Sequence, residues 1–308
     1  MGRSGHRVLS TPLGIISALY GRVTALLPLP LARLLGRCLG RLAYYLIPRI
    51  RRVGLANLAL AYGDSISGEE KRRILKGATA NVGIVASEFS RISQFDSAFI
   101  DRHVQIRGRE HLDQAGCGVL MGAHLGNWEW MAPVLSASGY SVAEVVRPLD
   151  NPTLNAFVDR VRTAKGTKTV AKRDAAPELV RLLRNGWFIG ILVDQNPRAN
   201  ATPATFFGSQ CWATTAPVMI ALRAKAPLLP VCMVRQLSGD YIFHIGAPID
   251  LVREGSFRQN LAVNVQRCQD AAETLVRNAP EQWLWLHRRW RERPHLEEAW
   301  QRTAGDNS

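Results

Sequence analysis

The sequence predicts an α/β protein, a mostly parallel sheet covered by helices on both faces, preceded by an N-terminal membrane-associated helical segment. Three observations predict it. Beyond Gly63, apolar runs of strand length alternate with stretches of helical period, the pattern of βα units. Hydrophobic residues make up 47% and charged residues 21% of the 308, enough for a large core and too apolar for disorder. Before Gly63 the charge is all of one sign and is interleaved with leucines. We therefore divide the chain into a basic amphipathic anchoring segment over 1–63 and one α/β domain over 64–308, with no internal repeat, low-complexity tract or linker.

The N-terminal segment carries nine arginines, no lysine and no acid. Its longest uncharged stretch, Val8 to Gly21, has 14 residues, short of the about 20 that a spanning helix needs. Arg33, Arg37 and Arg41 recur every four residues, which at about 100° per residue makes one stripe beside Leu31, Leu34, Leu35, Leu39 and Leu42. Such a helix suits lipid headgroups. An ordinary helix packed on the protein with its arginines in water has the same periodicity. A cleaved signal peptide, with Arg3 and Arg7 as its basic region, lacks an A-x-A site. The formal charge of +14 also admits nucleic acid, but arginines alternating with leucines rather than with stacking aromatics favour a membrane surface and no nucleic acid.

Ser67-Gly68-Glu69-Glu70 has the form of a capping box, opening a helix to about Ile92. Gly118 to Ala123 reads as a buried strand, Asn127 to Ala137 as a helix, Tyr140 to Val146 as a strand and Pro152 to Ala164 as a helix begun by Pro. A helix over Asp174 to Arg184 and a strand over Trp187 to Val193 follow. A loop runs from Asp194 to about Ala213, then a helix from Pro217 to Ala224, strands over Leu228 to Val234 and Tyr241 to Ile245, and two helices. The five cysteines are odd in number, widely spaced and without C-x-x-C, which points to a reducing cytosolic setting with neither disulfides nor a metal site.

Ligands of an open α/β sheet bind beyond the carboxyl ends of strands, where Met121-Gly-Ala-His124-Leu-Gly-Asn-Trp-Glu129-Trp lies. His124 is the side chain most readily tuned to take a proton near neutral pH, and a nearby carboxylate fixes its tautomer. A lone histidine at the end of a strand is the plain alternative. Other segments follow in order: Arg52-Val-Gly-Leu-Ala-Asn57-Leu-Ala-Leu-Ala-Tyr62, Arg147-Pro148 with Asn151-Pro152, Asp194-Gln195, Phe206-Phe207-Gly208 with Thr214 and Pro217, and Pro280-Glu281-Gln-Trp-Leu-Trp-Leu-His287-Arg288-Arg289-Trp290. With Ala123-His124-Leu-Gly-Asn127-Trp-Glu129, these blocks resemble the bacterial lipid A late acyltransferases, the lauroyl/myristoyl transferase group of the H-x4-D/E lysophospholipid acyltransferases, from about Arg51 to Pro294.

The resemblance implies a glycerolipid-acyltransferase-like fold and an O-acyltransferase of lipopolysaccharide biosynthesis at the cytoplasmic face of the inner membrane. His124 is then the general base on an acceptor hydroxyl, and Glu129 orients and polarises it in a dyad. No enzyme nucleophile is required, in keeping with the absence of G-x-S-x-G. No cofactor is implied: acyl-ACP or acyl-CoA is the co-substrate. The partners implied are acyl carrier protein, an anionic glycolipid or phospholipid acceptor, and the membrane surface. Asn127 falls among the substrate-binding positions. Arg147 and Arg162 suit acceptor phosphates, or else surface salt bridges. Asp194 belongs near His124 at a strand end, holding an arginine, shaping the site or capping a turn. Phe206, Phe207 and Gly208 line an acyl channel or are plain core. Arg288 and Arg289, beside Trp283, Trp285 and Trp290, suit headgroups or a carrier's phosphopantetheine, or else pack structurally.

Two departures from the family's pattern concern the substrate. Asn200-Ala-Thr-Pro203-Ala-Thr205 replaces a run containing Gly and Val, and Ala216 replaces a Gly. A lysophospholipid, an ornithine-type lipid or a mannosylated inositol lipid would use the same dyad. The readings from other classes are a non-catalytic lipid-binding membrane protein, whose hallmark would be a broken dyad, and a serine or cysteine acyl-hydrolase, which needs an activated nucleophile.

Overall fold

The computed structural model describes residues 12–305 except Asp174, so Arg3, Arg7 and the start of the expected helix at Asp174 lie outside the described residues. Helices α1 (Pro12–Leu26), α2 (Leu29–Leu46) and α3 (Pro48–Tyr62) precede α4 (Gly68–Glu88), which Ser67 caps by accepting the N–H of Glu70 at 3.1 Å. Prolines open α3 and follow the N-cap of α2, where no intrahelical N–H is lost. Among the described residues no helix is long and apolar enough to cross a membrane.

Helix α2 packs on α4 through small residues. Gly36 and Gly40 lie against the backbone of α4 so closely that a Cβ on either would fall 2.4 Å from the Gly83 carbonyl or 2.2 Å from that of Thr79. Its buried face is Leu29, Ala32, Gly36, Gly40 and Tyr44, whereas Leu31, Leu34, Leu39 and Leu42 are 42–53% exposed beside Arg37 and Arg41. The expected arginine stripe is corrected at one position. Arg33 turns inward and its Nε donates to the fully buried carboxylate of Glu88 at 2.5 Å.

The α/β region follows in chain order as a 3₁₀ turn (Phe89–Gln94), α5 (Ser97–His103), β1 (Val104–Arg107), α6 (Arg109–Ala115), β2 (Gly118–Gly126), α7 (Trp128–Ala137), β3 (Val142–Val146), α8 (Pro152–Arg162), β4 (Lys168–Ala171), α9 (Ala176–Arg184) and β5 (Phe188–Leu192). It continues with β6 (Ala201–Phe206), β7 (Ser209–Thr214), α10 (Ala216–Ala224), β8 (Leu228–Arg235), β9 (Tyr241–Ile245), α11 (Phe257–Asn278) and α12 (Pro294–Gly305). Seven strands form one sheet in the order β1-β9-β8-β2-β5-β3-β4, parallel throughout except between β8 and β9. Strand β2 alternates its side chains between two cores, Val119, Met121, Ala123 and Leu125 on one face and Leu120 on the other, so the period of two puts His124 on the Leu120 face.

The expected loop from Asp194 to Ala213 instead contains the antiparallel hairpin β6–β7. Its two-residue turn, Phe207 and Gly208, has φ of 53° and 69°, the doubly left-handed form that matches strand twist. Burial alternates along β6, but its residues, small apart from Phe206 and including Pro203, carry no matching alternation of hydrophobicity.

Candidate active site

Parallel pairing of β2 with β5 places Gly122 opposite Leu192, so the residues two further on, His124 and Asp194, meet beyond the strand ends. Asp194 Oδ1 accepts from His124 Nδ1 at 2.8 Å, and its Oδ2 accepts from the His124 backbone N–H at 2.9 Å and from Trp283 Nε1 at 2.7 Å. Three donors on one buried carboxylate fix its geometry and keep it ionised. Burial raises its pKa, but the charge and hydrogen bonds of His124 with the Trp283 bond outweigh that and hold it down to about 2. For His124, burial opposes the charged form. The charge and hydrogen bond of Asp194, then the charge of Glu129, prevail and raise its pKa above the ordinary imidazole value.

The carboxylate bonded to the imidazole is thus Asp194 and not Glu129, which corrects the expected dyad geometry. Asp194 does lie near His124 as expected, holding the histidine rather than an arginine. Glu129, in the first turn of α7, is clamped by Arg162, whose Nε and Nη2 donate to its two oxygens at 2.9 and 2.8 Å. It also accepts from Trp128 Nε1 at 3.1 Å. Arg162 lies 3.5 Å from a second carboxylate, Glu144 on β3. Its Nε and Nη2 are thereby engaged by internal acids, while the side chain still lines the cavity. Burial raises Glu144 to about 7, against the charge of Arg162 and with that of Glu129.

Further expectations are corrected by packing. Asn127 is fully buried. Its side chain accepts from the Trp130 N–H to cap α7 and donates to Glu88 at 2.8 Å, which leaves it no access to substrate. Gly126 before it has φ of 62° and lies where a Cβ would fall 1.8 Å from the Met233 carbonyl, so this turn requires glycine. Phe206 and Phe207 are core rather than channel, packed edge-on to each other, Phe206 against Trp283 and Phe207 against Trp285, and Gly208 supplies the hairpin turn. Arg289 is fully buried, donating to the Trp212 carbonyl, Cys211 Sγ and Gln269 with its charge over the Phe206 ring, so it holds the hairpin rather than a headgroup. Arg288 is exposed, and Arg147 is exposed at the cavity edge, paired with Asp150 at 3.2 Å.

Sequence reasoning missed Gln195 as a partner of His124, at 3.3 Å from Nε2, and the half-buried Glu144 on the cavity wall. Adjacency to Asp194 was the signal for the first, and an acid inside an apolar strand the signal for the second. His124, Gln195, Glu129 and Arg162 line a cavity of about 1420 Å³. Gly122, Met131, Leu135, Val142 and Leu192 form apolar wall on the His124 face, and Ile16, Tyr20, Leu39 and Ala43 bring α1 and α2 into the same cavity. Among the described residues no three His, Cys, Asp or Glu side chains cluster to hold a metal ion.

Comparison with known proteins gives a match of residues 5–292 to the family model described as bacterial lipid A biosynthesis acyltransferase. The chain is 26% identical over 278 residues to the lipid A biosynthesis lauroyltransferase of Escherichia coli K12, covering 87% of this chain and 88% of that one. It is 25% identical to a lipid A biosynthesis acyltransferase of Haemophilus influenzae, over 87% of this chain and 86% of that one. The lipid A biosynthesis palmitoleoyltransferase of E. coli K12 is likewise 25% identical, over 87% of each chain.

Proposed function

The chain belongs to the bacterial lipid A biosynthesis acyltransferases, and from that premise we propose that it moves a fatty acyl chain from acyl-ACP or acyl-CoA to a hydroxyl of a phosphorylated lipid A precursor. The observation that carries the reading is a histidine held by Asp194 on the edge of a large, mainly apolar cavity. The acceptor O–H gives its proton to His124 Nε2 as its oxygen bonds the thioester carbon. The tetrahedral intermediate then expels the thiolate, which takes the proton from the imidazolium. Asp194 keeps the ring proton on Nδ1 and stabilises the imidazolium; the charge of Glu129 also favours it, opposed by that of Arg162, which clamps Glu129. Both substrates are acidic, which a net charge of +14 accommodates. Of the cysteines, Cys232 and Cys268 are pushed up to about 12 by burial, and among the described residues no cysteine lines the cavity, which favours direct transfer over an acyl-enzyme.

The site of action in this reading is the cytoplasmic face of the inner membrane. Its support is the outward face of α1 and α2, where Leu19, Leu26, Leu34 and Leu42 are all at least half exposed among Arg22, Arg37 and Arg41. Tyr20, Gly40 and Ala43 of the same helices line the cavity that His124 also lines, so a lipid chain entering between them shares a cavity with the base.

The test is acyl transfer by purified protein in detergent, from acyl-carrier-protein donors of graded chain length to a tetra-acylated lipid A precursor, with His124→Ala alongside. Transfer by the wild type with a loss of about 10²–10⁴ in the variant is the expected result. Wild-type turnover in the variant refutes the mechanism. Transfer to lysophospholipid or ornithine lipid but not to the precursor refutes the acceptor.

A further inference from the structure

Consecutive residues grip both nitrogens of the His124 ring. Asp194 accepts from Nδ1, and the side-chain amide nitrogen of Gln195 lies 3.3 Å from Nε2. With its proton directed at a carboxylate, the ring carries its lone pair on Nε2, so the amide must present its N–H end there. That nitrogen is where an acceptor hydroxyl has to deliver its proton, so Gln195 occupies the acceptor's place.

The backbone behind this contact is fixed and the side chain is not. Arg289 Nη1 lies 3.5 Å from the Gln195 carbonyl, the Asn196 N–H donates to His287 Nε2 at 2.9 Å, and the Asn196 amide donates to the carbonyls of Arg289 and Arg291. The Gln195 side chain is exposed, and among the described residues it makes no other hydrogen bond. It is free to swing away from an anchored Cα.

We propose that Gln195 guards the basic nitrogen: while the acyl donor waits without an acceptor, its amide keeps water off Nε2, and the acceptor hydroxyl displaces it to begin transfer. The inference rests on the acyltransferase reading above. An acyl thioester beside a base has a competing fate. Water on Nε2 would give that nitrogen a proton as its oxygen bonded the acyl carbon; the C–S bond would break, the thiolate would take the proton back, and the acyl chain would leave as free acid. The amide in that position is inert, because its nitrogen lone pair is delocalised into its carbonyl. A glycolipid held by many other contacts can displace one long hydrogen bond, whereas a water molecule with none gains little by doing so. Gln195 is on this argument a positioning residue that sets the balance between transfer and hydrolysis.

The test uses full-length protein with Gln195→Ala and Gln195→Glu. A first readout needs no turnover: diethyl pyrocarbonate carbethoxylates the free lone pair of imidazole, and peptide mass spectrometry reports each histidine separately. His124 should react about two- to tenfold faster in Gln195→Ala than in the wild type, the range that one neutral hydrogen bond accounts for, while the exposed His295 keeps its rate. Equal rates at His124 overturn the cap. In the second readout, thiol release from donor without acceptor should rise by a similar factor in Gln195→Ala, and the ratio of hydrolysis to transfer should rise with acceptor present. An unchanged ratio overturns the guarding role. Gln195→Glu puts a carboxylate beside Nε2, which favours the imidazolium and should move the acid limb of the pH profile to higher pH; an unmoved limb counts against contact with the base. A wild type that neither transfers nor hydrolyses any donor overturns the acyltransferase reading together with the guard. It is told apart from failure of the guard alone, in which the wild type transfers and Gln195→Ala partitions like it.

Discussion

Replacing Asp194 by Asn is the sharpest perturbation of this site, because it keeps the shape and removes both the charge and one acceptor. Oδ2 accepts two bonds, from the His124 N–H and from Trp283 Nε1, while Oδ1 accepts one from Nδ1. An asparagine has a single acceptor oxygen, so it satisfies most partners by turning that oxygen to the two donors and its N–H₂ to Nδ1. The ring must then accept at Nδ1 and carry its proton on Nε2, where it is no longer a base. Correcting the tautomer still leaves the imidazolium without its counter-ion. A hydrogen bond to a charged group is worth about 1.5–3 kcal/mol, and opposite charges about 4 Å apart attract by about 4 kcal/mol at an effective dielectric of about 20. These terms overlap, and a loss of about 3–5 kcal/mol lowers kcat by about 10²–10⁴. The assay is acyl transfer as a function of pH. In the wild type the base form of His124 is populated only above its raised pKa, so kcat/KM falls as pH drops through a value above 6.5. In Asp194→Asn the residual rate should lose its acid limb to lower pH, since burial then dominates. A variant that keeps more than about a tenth of wild-type kcat/KM, or whose acid limb stays in place, refutes the argument that Asp194 orients and charges the base.

Further consequences follow from the packing. Arg33→Ala leaves the carboxylate of Glu88 buried with only Asn127 and Tyr241, and should cost about 3 kcal/mol in urea unfolding, a loss that Glu88→Gln in the same background reduces; a cost below about 1 kcal/mol would mean that the pair is not what ties α2 to the domain. Glu144, with a pKa of about 7 in the folded protein against an ordinary 4.5, binds a proton that the unfolded chain has already lost, so its contribution is full below about 4.5 and is lost as pH rises through 7, by about 3 kcal/mol. Glu144→Gln should flatten the fall in stability over that window, and an unaltered pH dependence counts against a buried, protonated acid. Reversing Arg37 and Arg41 to Glu, on exposed positions of α2, should weaken binding to vesicles containing anionic phospholipid by at least about 2 kcal/mol without changing the unfolding midpoint; equal binding to neutral and anionic vesicles by the wild type would refute an electrostatic contribution.

The alternation of strand and helix, the capping box at Ser67, the proline at the start of α8 and the position of His124 at a strand end are all legible in the sequence, because each rests on local period or local hydrogen bonding. The class of reaction is legible too, through blocks of residues whose order matches a family. What could not be read is which acid meets which base. His124 and Glu129 are close along the chain, but Glu129 sits in the first turn of α7, where Arg162 reaches it from α8. Asp194 lies 70 positions from His124 and meets it because β2 and β5 pair in parallel and in register. The same limit applies to α2. Its leucines and arginines were visible as an amphipathic pattern, yet whether its buried face would be leucine or glycine depended on the close approach of α4, and that left the leucines outward while Arg33 turned in to Glu88. Periodicity along one chain assigns residues to faces, whereas the partner of each face, and so the pairing of buried charges, is decided only when distant segments compete for the same interior.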